Sequence, residues 1–214
     1  MEISTPLIVG FVGSFLLLGI LTLTAFVKLS VVFMILRNAL GLQQVPSNMI
    51  VMTLTLFLAV FISIPVISQS LSSLASVNFD NDSLPELVTA LSNALEPFQT
   101  FIVRNTDPNQ LTFFVEMANS VWQGSGFVGS VEDIFIQIPA FLVSELTHAF
   151  EMGFLIYLPF IAVDLAVTVI LMATGMQQVQ PTIISTPFKL LLFVSLNGWT
   201  KMIEGLVLSY GTVA

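Results

Sequence analysis

The chain has 214 residues, 56% of them hydrophobic and only 8% charged, with 5 Lys and Arg against 13 Asp and Glu for a net charge of −8. A soluble domain carries about 25% charged residues, so a free-standing soluble globule and a disordered chain are excluded, as is a nucleic-acid binder, which needs a basic face. There is no cysteine and a single histidine, which removes disulfide and thiolate chemistry and leaves little material for a metal site or a triad. The composition is that of an integral membrane protein or of a subunit buried in a membrane assembly.

Taken in chain order, the first apolar run covers 7–27. It is close to the roughly 20 residues that a spanning helix needs. The first cation is Lys28, so the run lacks the positive flank of a cleaved signal and reads as a retained helix. Three further apolar stretches follow, at 49–71 with Pro65 inside it, 152–172 with Pro159 and Asp164, and 188–208 with Lys189, Lys201 and Glu204. They form two close pairs, and short links between long helices make antiparallel hairpins.

Between the pairs, 72–133 is of another kind. Asp80, Asp82, Glu86, Glu96, Asp107, Glu116, Glu132 and Asp133 stand there against one cation, Arg104. Ser83-Leu84-Pro85-Glu86 is a capping-box pattern with Pro in the first turn, followed by Leu87, Val88, Leu91, Leu95, Phe98 and Ile102 at helical spacing. Asp107-Pro108 reads as the cap and first residue of a second helix, which Gly124-Ser125-Gly126 ends. Ser130 reads as the cap of a third, with Asp133 standing in for the usual Glu or Gln. The expected fold is therefore all-α: two long helical hairpins, 1–71 and 134–214, flanking an acidic helical extracytoplasmic segment, 72–133. Arg37 in the first hairpin turn, with Lys28 before it, sets the orientation by the positive-inside rule. Both tips face the cytoplasm, and the acidic segment and both termini face the periplasm.

The tips echo each other. GLQQVP at 41–46 and GMQQVQP at 175–181 repeat one pattern, through Gly41, Gln43, Gln44 and Pro46 in the first and Gly175 and Pro181 in the second. Two readings stay open: shared turn chemistry, in which Gly ends a helix and Pro stops its restart, or two hairpin repeats in the same orientation.

Charges inside apolar stretches are costly. Asp164 and Lys189 lie on opposite arms of the second hairpin, about 14 and 10 residues from its middle, a difference of about 6 Å at helical rise. A structural ion pair joining the two helices fits this placement. The alternative is a small transporter or ion-channel subunit with Asp164 and Lys189 in its pathway. Glu145-x-x-His148 has the spacing of di-metal bundles, but such a site needs a second such motif and two more glutamates. Enzyme readings lack HExxH, a phosphate loop and Gly-x-Ser-x-Gly, and an intramembrane aspartyl protease needs two aspartates. The chain is read as neither an enzyme nor a cofactor binder.

The SELTHAFEMGFLIYLPF run from Ser144, the PFKLLLF run at 187–193 and LTAFVKLSVVFMILRNALGLQQVPSN at 23–48 resemble the FliP/SctR family of type III secretion export-apparatus proteins. The resemblance covers both hairpins. It implies a non-catalytic core subunit of an export gate in the bacterial inner membrane. Such subunits form a homo-pentamer that joins two smaller export-apparatus membrane subunits around a pore for unfolded protein. It also implies that the helices pack largely on protein. The family has a Met-rich gasket at the second tip, typically Gly-Met-Met-Met, and the matching positions here are Gly175, Met176, Gln177 and Gln178. Met suits a seal because it is flexible and apolar; Gln177 and Gln178 would make a wetter one. The family's Asp-Gly-Trp is Asn197-Gly198-Trp199 here, which removes a charge. The short chain that starts straight into a helix resembles the virulence branch more than the flagellar one.

Overall fold

The computed structural model describes residues 19, 24–42, 46–75, 84–124 and 126–211, and all regular structure among them is helical. In chain order the elements are α1 (Phe26–Ala39), α2 (Asn48–Ala75), α3 (Leu84–Arg104), α4 (Pro108–Val121), α5 (Ile134–Ala173), α6 (Pro181–Ser195) and α7 (Gly198–Gly211). The all-α expectation holds. Most of the run 7–27, the acids Asp80 and Asp82, the cap Ser83 and the tip residues Gln43 and Gln44 lie outside the described residues.

Two compact units divide the chain. One gathers the residues up to Val27 with Ala59–Leu146, the other Lys28–Leu58 with Thr147–Ala214. Both α2 and α5 therefore contribute to each unit.

The first unit is built on the amphipathic pattern of α3. Phe98 and Ile102 on its inner face meet Val66 of α2 and Phe141 of α5 in one core, with Phe101, Ile134, Ile138 and Leu142 packed around it. Phe101 and Phe141 meet edge-on at 6.1 Å. Asp107 opens α4 as expected, its carboxylate accepting the Asn109 N–H at 2.8 Å with Pro108 in the first turn. The Asp107 N–H donates to Ser144 Oγ at 3.0 Å, which ties this cap to α5. After α4 the chain is clasped by Asn119, whose amide accepts the Gly129 N–H at 2.8 Å and donates to Gly129 O at 3.3 Å. Gly129 fits closely there: a Cβ would stand 2.8 Å from Ile136 Cδ1 and 3.1 Å from Ala118 Cβ.

Four sequence expectations are corrected. The helix expected over 7–27 does not hold at its described end: Thr24 and Ala25 form a turn, and α1 opens at Phe26. Pro65, expected either to kink the 49–71 stretch or to mark its outer end, does not end it: α2 runs on to Ala75. The third helix of the acidic region starts at Ile134, not after Ser130. Asp133 Oδ2 reaches back to the Ser130 N–H at 2.8 Å, while Ile136 and Gln137 donate to the Asp133 carbonyl at 2.9 Å, so Asp133 is itself the cap. That helix then continues without interruption for 40 residues, absorbing the 152–172 stretch. At helical rise it is about 60 Å long, twice the roughly 30 Å of bilayer hydrocarbon.

The fourth correction concerns 188–208, which is not one helix. It breaks between α6 and α7 with a bend of 62°. Asn197 sits at the break with φ +53, a left-handed conformation that Asn tolerates better than most residues. Among the described residues α2 (Asn48–Ser73) and α5 are long and apolar enough to cross a membrane, and the bent α6–α7 pair makes a third candidate.

Candidate functional site: the hairpin tips and their polar tie

The second unit holds both hairpin tips. α1 and α2 leave the first tip antiparallel, with Arg37 Nη1 donating to Asn48 Oδ1. α5 and α6 leave the second tip in the same manner. Phe160 faces Phe193 with ring centres 6.3 Å apart, and one turn nearer the tip Asp164 faces Lys189.

Each tip begins with the same cap. Gly41 and Gly175 both take φ +73, where a Cβ is disfavoured. In the first, Gly41 N–H donates to Asn38 O and Leu42 N–H to Arg37 O; in the second, Gly175 N–H donates to Met172 O and Met176 N–H to Leu171 O. These are the two bonds of a Schellman motif, made twice. The echo between the tips thus has a local physical basis in how each helix is stopped. Pro181 then opens α6 at its first turn, where a missing N–H costs nothing. Pro46 is half-buried and ends the first tip before α2.

The two caps differ in their surroundings. A Cβ on Gly41 would lie 2.9 Å from Thr186 Oγ1, whereas Gly175 has open space around it. Gly175→Ala is expected to cost only the left-handed penalty of about 1–2 kcal/mol, and Gly41→Ala that penalty plus the displacement of Thr186. Thermal unfolding in detergent should rank the Tm of Gly41→Ala below that of Gly175→Ala; the reverse order would mean that the Thr186 contact is not felt.

The first tip also receives a tie from the second hairpin. Four carbonyls at the end of a helix lack intrahelical donors. Here Leu40, Gly41 and Leu42 supply N–H groups to Leu36, Asn38 and Arg37, and Lys189 Nζ donates to Ala39 O at 3.1 Å. The same ammonium is 2.5 Å from Asp164 Oδ2, and the other carboxylate oxygen, Oδ1, accepts the Ser185 hydroxyl at 2.6 Å. A cation at the C-terminus of α1 also suits the helix dipole. Asp164, Ser185, Lys189 and Ala39 O therefore form one polar cluster that joins α1, α5 and α6. Lys189 is 4% exposed and Asp164 36%.

Sequence spacing could place Asp164 opposite Lys189. It could not place Ala39 O, 150 residues from Lys189, beside them, because a backbone acceptor has no sequence signature. Asn197-Gly198 was legible but missed: Asn-Gly is a stop signal for a helix. Gly198 lets the backbone pass Phe193, since a Cβ there would lie 2.3 Å from two ring carbons and 2.8 Å from Phe193 O. Trp199 then packs on Phe193, centroids 5.3 Å apart and nearly perpendicular, and on Phe33 of α1 at 6.3 Å. The Asn197-Gly198-Trp199 triplet thus shapes the backbone and packs α7, neither of which needs a carboxylate.

Met176, Gln177 and Gln178 are exposed at the outer end of the second tip, Met176 at 49%. A turn bonds the Val179 N–H to Met176 O at 3.2 Å. Beside and above the polar cluster the second hairpin remains largely uncovered, with Leu165, Val169, Ile170, Ile183, Phe188 and Leu191 each more than half exposed. Of the other charges singled out from the sequence, Glu145 is fully buried, His148 half-buried and Glu151 exposed. Among the described residues no three His, Asp or Glu side chains converge as a metal site would need.

A family model described as the FliP family matches residues 10–206. The chain is similar to the probable translocation protein y4yL of Sinorhizobium fredii, 44% identical over 196 residues that cover 91% of this chain and 88% of that one. It is similar to Yop proteins translocation protein R of Yersinia pestis, 43% identical over 190 residues and covering 88% and 87%. The harpin secretion protein HrcR of Erwinia amylovora is 41% identical over 204 residues, 94% of each chain.

Proposed function

The chain belongs to the FliP family, and we propose that it is a core subunit of a type III secretion export gate in the bacterial inner membrane. Identical subunits enclose a pore in this reading, most simply as a pentamer joined by two smaller membrane subunits, and unfolded protein passes through it. The observation that carries the reading is the extent of the match. It spans both hairpins, both tips and the acidic segment, and the relatives are translocation and secretion proteins of the same length class. The work is mechanical, with no catalytic step and no cofactor.

The second tip closes the pore in this proposal. Three features support it. Met176, Gln177 and Gln178 stand exposed at the end of a hairpin. The Schellman cap at Gly175 fixes where the helix stops and the tip begins. The polar cluster at Asp164 and Lys189, about two turns or more below, braces both arms. Gln side chains carry donors and acceptors, so a ring of them would join subunits by hydrogen bonds where Met would join them by apolar contact.

Replacing Met176, Gln177 and Gln178 together by Ala is expected to leave assembly intact and raise ion conductance of the purified complex in planar bilayers severalfold. Unchanged conductance would remove the sealing role. The proposed orientation, with the acidic segment and both termini periplasmic, is tested at Ser120, which is exposed on α4. Ser120→Cys should react with a membrane-impermeant maleimide supplied from the periplasmic side of intact cells. Labelling only after lysis would invert the topology.

A further inference from the structure

We propose that one water molecule is bound inside the first unit, where it bridges Ser70 of α2 to Gln137 of α5 and pins the register of the two helices. Both side chains are buried, Ser70 at 1% and Gln137 at 4% exposure. Among the described residues neither Ser70 Oγ nor Gln137 Oε1 has a hydrogen-bond partner, whereas buried polar groups are as a rule paired, with protein or with ordered water. Other hydroxyls of α2 are paired. Thr55 and Ser68 turn back to the carbonyls of Val51 and Pro65, and Ser63 meets Thr24. Ser70 does not turn back on its own helix. Nor can Gln137 be satisfied by exchanging its amide atoms, because Nε2 donates to Val131 O at 2.9 Å and an amide oxygen in its place would face a carbonyl oxygen.

The two groups stand at one level of the same core. α2 enters this unit at Ala59 and α5 leaves it at Leu146, so the helices run through it in opposite senses. Val66 and Phe141 share the core, with Ile67, Ile134 and Ile138 packed on it. Ser70 follows Val66 by four residues and Gln137 precedes Phe141 by four. Each is therefore one turn farther along the buried face of its helix, on the same side of the core. α3 runs the same way as α5, since Phe101 meets Phe141 and Asp107 meets Ser144. One turn before Phe98 on α3, at this level, is the fully buried Ala94. Ser70 and Ala94 are short side chains, which leaves space beside Gln137. A buried water needs two to four polar partners. Here it donates to Gln137 Oε1 and accepts the Ser70 hydroxyl. Two neutral oxygens are too few for a hard cation, which takes six or more ligands.

The test is a double-mutant cycle on the full chain in detergent, read by Tm. Ser70→Ala should lower Tm by about 2–4 °C, the scale of one hydrogen bond lost in a chain of this length. An unpaired hydroxyl would behave in the opposite way, since its removal relieves a buried polar group and leaves Tm unchanged or higher. Gln137→Leu also loses the Val131 bond, but that loss is common to both arms of the cycle and cancels. In the Gln137→Leu background Ser70→Ala should have no further effect, because the water has lost its other partner. A Ser70→Ala chain as stable as the wild type, or equal losses in both backgrounds, would overturn the proposal. A density map of the wild-type protein that resolves ordered water provides a second readout. It should show a peak within about 3.2 Å of both Ser70 Oγ and Gln137 Oε1. A direct bond between the two side chains, or no peak between them, would overturn it as well. Neither measurement involves export or conductance, so the water site stands or falls separately from the gate.

Discussion

Asp164→Ala is expected to prevent assembly of the complex. It leaves the Lys189 ammonium, 4% exposed, without its carboxylate, and removing one partner of a buried pair costs about 3–5 kcal/mol. Lys189→Met should be milder. Asp164 is 36% exposed and keeps the Ser185 hydroxyl, so the loss is chiefly the donor to Ala39 O, about 1–3 kcal/mol for a carbonyl left unsatisfied. Asp164→Asn should fall between the wild type and Asp164→Ala, because an amide oxygen can still accept from Ser185 or Lys189. Exchanging the two charges should recover part of the loss but not all, since an acid at 189 would face the Ala39 carbonyl. Native gels of the complex, together with Tm of the isolated chain, read all four. An exchange no better than either single change, or Lys189→Met as damaging as Asp164→Ala, would remove the pairing argument.

Gly198→Ala is the second large effect expected. The added methyl would lie 2.3 Å from two ring carbons of Phe193 and 2.8 Å from the Phe193 carbonyl. The ring cannot simply swing away, because Phe193 is 6% exposed and is held between Phe160 and Trp199. The carbonyl belongs to the last turn of α6. Overpacking a site of this kind costs about 1–3 kcal/mol, and the backbone contact puts this change at the upper end. Tm should fall accordingly, and Phe193→Leu in the same chain should restore part of it by vacating the ring. A Gly198→Ala chain with wild-type Tm would mean that the α6–α7 bend opens freely.

The two effects test different kinds of information. The bend at Leu196 and Asn197 is local: Asn197 at φ +53 and Gly198 beside the Phe193 ring are separated from their contacts by a few residues. It stood in the sequence as an Asn-Gly stop signal, and reading 188–208 as one span gave hydropathy precedence over it. The same balance explains α5. The helix expected to start near Ser130 and the apolar stretch 152–172 belong to one helix, although Glu145 and His148 interrupt the hydropathy between them. Charge does not stop a helix; the left-handed residues at Gly41, Gly175 and Asn197 mark where helices of this chain end.

What the sequence determined by itself is what short-range physics determines: helix stops at Gly41 and Gly175, the Asp107-Pro108 start, the helical stripe of α3, the apolar character of the spans, and the register that lets Asp164 meet Lys189. Caps and stripes act within one or two turns, so the residues that make them are neighbours on the page. Tertiary structure alone decided that Lys189 also closes the end of α1 at Ala39 O, that Gly41 meets Thr186, and that Trp199 packs on Phe33. Each of these joins residues more than a hundred positions apart. Their partners are a backbone carbonyl, a hydroxyl and an apolar ring, groups found in every helix of this chain, so nothing in the order of residues singles them out until packing brings the hairpins together.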